Sequence, residues 1–90
     1  MAAEQILQSK IKKYLIGQGW IVIKTIQLSD NGYPDLFCFK NGITVFIEVK
    51  AKGKVPTELQ LYRISELKKQ GFTAFWTDDF KNICNFIKIH

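Results

Sequence analysis

Asp35-Leu36-Phe37-Cys38-Phe39-Lys40-Asn41-Gly42-Ile43-Thr44-Val45-Phe46-Ile47-Glu48-Val49-Lys50 decides the fold. Asn-Gly is the strongest short hairpin signal, because both residues tolerate the positive φ angles that a two-residue turn between antiparallel strands needs. Strands are therefore expected over Asp35 to Lys40 and Ile43 to Lys50. A two-residue loop also fixes the register: Lys40 faces Ile43, Phe39 faces Thr44, and Asp35 falls opposite Glu48. Directly opposed residues share a face with Cβ atoms about 5 Å apart, and Lys50, two residues beyond Glu48, projects from the same face. Two carboxylates and one ammonium converge.

Working outward, apolar residues at Leu7, Ile11, Tyr14 and Leu15 keep helical spacing from Ala3 to Gln18, and Gly17 and Gly19 end that helix. Trp20 to Gln27 is rich in β-branched residues and reads as a strand, and Ser29 to Pro34 is a loop dense in turn formers. Beyond the basic stretch Ala51 to Val55, Thr57 and Gln60 form a capping-box pattern that opens a helix to about Gln70. Gly71 ends it, Phe72 to Thr77 is a fourth strand, and Asp78 is placed to cap a last helix carrying Phe80, Ile83, Cys84 and Ile87. The order is α-β-β-β-α-β-α, an α/β sandwich with a mixed central sheet, in which a helix crossover brings the last strand to the hairpin. Ninety residues make one domain, 1–90.

Composition narrows the chemistry. No apolar run reaches the ~20 residues of a membrane span, and Met1-Ala2-Ala3-Glu4-Gln5 is not a basic leader into an apolar segment, so a cytoplasmic protein is expected. Cys38 and Cys84 sit among apolar residues and read as reduced, buried thiols. The single histidine, His90, is the last residue given, and histidine triads and Cys/His zinc sites need more than that. Net charge is +5 with a pI near 9.3, which suits a polyanion without identifying one.

Opposed like charges destabilise a sheet, and more so beside Phe37, Phe46, Ile47 and Val49. A hard divalent ion such as Mg²⁺ or Mn²⁺ would offset the Asp35–Glu48 pair through oxygen ligands. The alternative is that Lys50 simply forms an ion pair with either acid on a sheet face.

Gly32-Tyr33-Pro34-Asp35, then Glu48-Val49-Lys50, then Gln60 at the start of the next helix, together resemble the PD-(D/E)xK nuclease superfamily and within it the small VRR-NUC domains. The resemblance implies a restriction-endonuclease-like fold and metal-dependent phosphodiester hydrolysis. It makes Asp35 and Glu48 metal ligands together with the Val49 carbonyl, and Lys50 the group that orients or deprotonates the attacking water or stabilises phosphorane charge. Glu4 resembles the family's N-terminal acid and would add to the metal shell; otherwise it is a favourable acid in a first helical turn. Gln60 is a catalytic candidate whose other reading is the capping box. The arginine that such domains often carry before Pro-Asp is absent, and Lys24 is the nearest basic residue.

Outside these residues the chain is more basic still, and Lys52 and Lys54, just past the catalytic strand, are the expected phosphate contacts. Nucleic acid, DNA before RNA, is the expected partner. A homodimer is also expected, from aromatics such as Trp20, Trp76 and Phe86 that a small monomer covers with difficulty, and paired active sites would suit branched DNA. The competing readings are a non-catalytic nucleic-acid-binding module and a structural interaction domain.

Overall fold

The computed structural model describes residues 2–26 and 28–89. The expectations that fall on Met1, Gln27 and His90 lie outside the described residues. The elements run α1 (Ala3–Gly17), β1 (Ile21–Lys24), β2 (Leu36–Lys40), β3 (Ile43–Val49), α2 (Glu58–Lys69), β4 (Thr73–Thr77) and α3 (Phe80–Ile89), which is the expected order.

The hairpin forms as its turn dictates. Asn41 and Gly42 both take positive φ, 50° and 78°, matching the right-handed twist of the flanking strands. The ladder runs from Lys40↔Ile43 to Leu36↔Ile47. β1 pairs antiparallel with β2, and β4 pairs parallel with β3, giving the sheet order β1-β2-β3-β4.

Strand alternation divides the apolar residues between two layers. On one face Val22, Leu36, Cys38, Val45, Ile47 and Val49 pack with Ile11 and Leu15 of α1 and Ile83 of α3. On the other, Phe46 and Ala74 pack with Ile64 of α2, flanked by Phe37, Leu67 and Trp76. The sheet is thus sandwiched between α1 with α3 and α2. Among the described residues no helix is long and apolar enough to cross a membrane.

Several expected boundaries shift. β1 stops at Lys24, because Thr25 turns its N–H to the Asp35 carbonyl, 2.7 Å away, and its hydroxyl to the Pro34 and Asp35 carbonyls, both at 3.1 Å. The last helix is capped by Asp79 rather than Asp78: Asp79 Oδ1 accepts from Lys81 N at 2.9 Å, while Asp78 Oδ2 accepts from Gly53 N. Both thiols are free, Cys38 buried and Cys84 half-buried. The aromatics expected to call for a partner are largely covered by the chain itself, Trp20 being 4% exposed and Phe86 packed against the main core. Exposed apolar side chains are spread over several elements, Ile6, Val55 and Tyr62 among them, and two of them, Ile21 (65%) and Ile23 (51%), lie side by side on edge strand β1.

Candidate active site

The β2–β3 ladder ends at Leu36↔Ile47, and one step further the seam between these strands is closed by a side chain. Asp35 Oδ2 accepts a hydrogen bond from Val49 N at 3.0 Å. The Asp35 backbone is held from the other side by Thr25, so this carboxylate is fixed at both ends of its residue. Asp35 therefore lies across from the Glu48–Val49 step, as the hairpin register requires.

Glu48 is only 2% exposed. Its Oε2 lies 3.4 Å from Lys50 Nζ, and its buried Oε1 has no hydrogen-bond donor. Burial, reinforced by the neighbouring Asp35 charge and only partly opposed by Lys50, pushes its carboxyl from 4.5 up to about 7. The salt-bridge reading of Lys50 is thus realised, yet it leaves one carboxylate oxygen unsatisfied in the protein interior.

A stability consequence follows. Because the folded Glu48 binds its proton more tightly than an unfolded glutamate, the folded chain carries the extra proton between pH 4.5 and about 7 and loses it above. The metal-free protein should therefore melt at a lower temperature at pH 8 than at pH 5.5, and Glu48→Gln should flatten that dependence. Calorimetry across this range in EDTA checks it, and an equal slope in the variant would assign the effect elsewhere.

The loop before Asp35 is anchored to α2. Arg63 Nε donates to the Asn31 carbonyl at 3.0 Å, Tyr33 Oη donates to Glu66 Oε1 at 2.9 Å, and the Arg63 guanidinium lies 4.5 Å from the Tyr33 ring centroid. Gly32 has φ +86°, and a Cβ there would stand 2.6 Å from Leu59 Cγ. Gly32→Ala should therefore cost about 1–3 kcal/mol. Urea unfolding measures it, and an unchanged midpoint would show that the loop accommodates a side chain. Between this loop and Asp35 opens a cavity of about 230 Å³, lined by Thr25, Asp30, Asn31, Tyr33 and Asp35 among others.

The other candidates are placed as follows. Gln60 Oε1 accepts from Thr57 N at 2.9 Å and Gln60 N donates to Thr57 Oγ1 at 3.2 Å, so the capping job is the one its side chain performs here. Lys52 pairs with Asp79 at 3.1 Å, while Lys54 is exposed just beyond the tight turn at Gly53. Glu4 is half-buried in the first turn of α1. Among the described residues no group of three or more His, Cys, Asp or Glu side chains is gathered to hold a metal ion, so Glu4 does not stand as a third carboxylate with Asp35 and Glu48. The residue that sequence reasoning passed over is Gln8, which is buried on α1 with its Oε1 unpartnered. Its signal was the spacing Gln8–Ile11–Leu15, a helical stripe with a polar member.

No family model matches the chain, and no curated protein matches it significantly. Solved structures do. One described as a VRR_NUC domain superposes with a TM-score of 0.87 at 27% identity, covering 98% of this chain and 97% of its own. Another, described as a VRR_NUC domain protein, gives a TM-score of 0.76 at 21% identity over 97% of this chain and 86% of its own.

Proposed function

We propose that this chain, which has the fold of VRR-NUC domains over nearly its whole length, is a metal-dependent nuclease that hydrolyses phosphodiester bonds. The observation that carries the reading is the unsatisfied Glu48 Oε1, buried beside Asp35, with Lys50 the only cation paired to either carboxylate among the described residues. An oxygen acceptor sealed from water without a donor costs free energy, and a hard divalent ion fits a donor set made only of oxygens. Asp35, Glu48 and the Val49 carbonyl would hold Mg²⁺ or Mn²⁺. When bound, such an ion lowers the pKa of water and polarises phosphoryl oxygens.

The chain's own residues supply the rest. Asp35 is prevented from rotating away by its hydrogen bond from Val49 N. Lys50, mostly buried and tethered to Glu48, keeps an ammonium at the site, where it orients the attacking water and favours the charge that develops on phosphorus oxygens. The cavity beside Asp35 gives the substrate room on the side of the anchored loop.

DNA is the preferred substrate in this reading, and the basic excess of the chain supports a polyanion. Lys54 contacts phosphate directly, whereas Lys52 must first leave Asp79. Lys54→Ala should therefore weaken binding and reduce its salt dependence by about one phosphate contact, with the rate at saturation nearly kept. Binding isotherms at several salt concentrations test this, and an unchanged slope would remove Lys54 from the interface. The apolar edge at Ile21 and Ile23 supports a homodimer, which light scattering at micromolar concentration would test against a 10.4 kDa particle. The free thiols fit a reducing cytoplasm.

Incubation with labelled linear, flap and four-way DNA and with RNA, in Mg²⁺, Mn²⁺ or EDTA, tests the function. Cleavage of DNA in either metal and none in EDTA is expected. Salt-sensitive binding without cleavage in any metal would favour a nucleic-acid-binding module instead.

A further inference from the structure

Two side-chain oxygens of the described residues are buried without any hydrogen-bond partner: Glu48 Oε1 and Gln8 Oε1. Gln8 is 5% exposed and begins the inner stripe of α1 that continues through Ile11 and Leu15. An ionised Glu48 oxygen and the Gln8 carbonyl oxygen are both acceptors, so neither then satisfies the other. Each needs a donor or a cation.

Chain geometry places Gln8 at the end of the sheet that carries the carboxylates. The chain reverses at Gly19, φ +94°, and Trp20 N donates to the Leu15 carbonyl at 3.0 Å, so Leu15 lies at the start of β1. From there α1, read backwards, and β1, read forwards, run in the same direction. Gln8 lies two helical turns before Leu15, about 10.5 Å. The three steps from Ile21 to Lys24 cover about 10 Å. Lys24 pairs with Leu36 and Leu36 with Ile47, so Gln8 is level with this row, one residue short of Asp35 and Glu48.

Glu48 alternates to the α2 side of the sheet and Gln8 comes from the α1 side. The row between them is the one where the β2–β3 backbone ladder has ended and only the Asp35 side chain bridges to Val49. At that opening in the sheet an oxygen from α1 can address a group held between β2 and β3.

We propose that Gln8 is a positioning residue of the metal site, its side-chain carbonyl accepting from the water shell of the ion held by Asp35 and Glu48. This rests on the nuclease reading and deepens it. The contribution of α1 then comes from a neutral amide one turn beyond Glu4, and the site keeps two carboxylates rather than three. The buried Gln8 carbonyl oxygen, which has no partner within the described residues, gains one when the ion binds, so Gln8 favours the metal-bound state over the metal-free one.

Loss of an outer-shell hydrogen-bonding partner typically lowers metal affinity 10- to 100-fold. Calorimetric titration of Mn²⁺ into the metal-free full chain at pH 8 reads this without requiring turnover. Gln8→Leu, similar in size and without polar atoms, should bind Mn²⁺ about 10- to 100-fold more weakly and yet melt at or above the wild-type temperature in EDTA, because the orphaned oxygen is gone. Gln8→Glu, which restores an oxygen and adds charge, should bind Mn²⁺ at least as tightly as wild type. Gln8→Leu binding Mn²⁺ within twofold of wild type would overturn the proposal while leaving the nuclease reading intact. So would Gln8→Leu melting well below wild type in EDTA, which would make Gln8 a structural residue. Wild type taking up no Mn²⁺ would bring down the nuclease reading itself, a different and recognisable failure.

Discussion

Replacing Lys50 with alanine should slow cleavage at saturating substrate by about 10²- to 10³-fold, the usual loss when one preorganised electrostatic contact to a transition state is removed. Its ammonium cannot ligate a metal while protonated. It lies 3.4 Å from Glu48 Oε2 with its side chain 14% exposed, so it acts from a fixed position in a largely dry setting. Substrate affinity, measured in Ca²⁺ to prevent turnover, should change only a few-fold. The variant should also show an altered pH profile. Lys50 is the group that holds the Glu48 proton affinity down against burial and Asp35, so without it Glu48 should remain protonated to higher pH and the rate deficit should shrink as pH rises. Single-turnover rates from pH 6 to 9 measure both effects. A wild-type rate at saturation would mean that another residue supplies the charge, and the binding-module reading would gain.

The second large effect is expected from Glu48→Gln. On the proposed reading it should abolish metal uptake and cleavage, since it removes one of the two carboxylates that would hold the ion, and it should at the same time stabilise the metal-free protein above pH 7. The carboxylate is buried, faces Asp35 and leaves one oxygen without a donor. Relieving about 1 kcal/mol of such strain raises the melting temperature by roughly 4–8 °C in a domain of this size. Activity lost with stability gained is the pattern of a site maintained against the interest of the fold. A large fall in melting temperature in EDTA would instead make the Glu48–Lys50 pair a structural device.

The hairpin and its carboxylates were legible because they depend on local chemistry. Asn41-Gly42 fixes a turn, the turn fixes a register, and the register sets Asp35 across from the Glu48–Val49 step. The α2 start was legible for the same reason, Thr57 and Gln60 being three residues apart. What sequence could not show depends on groups distant along the chain. Lys52 is held by Asp79, so an apparent phosphate contact is partly neutralised by the loop after β4. β1 is shortened by Thr25 reaching to Pro34 and Asp35. Trp20 is covered by Phe86 and the rest of the core, so the large aromatic that pointed to a partner is not on the surface. Gln8 was missed because a polar residue in a helical stripe reads as a gap in the pattern, and only its burial shows that it faces inward.

The central claim is that Asp35 and Glu48 together hold a divalent ion. Crystals of the protein soaked in Mn²⁺ at pH 8, with diffraction recorded where manganese scatters anomalously, test it directly. The account predicts an anomalous peak about 2.1 Å from carboxylate oxygens of both residues and absent from Glu48→Gln crystals treated identically. Well-diffracting wild-type crystals with no peak between Asp35 and Glu48, or with the same peak in the variant, would contradict it.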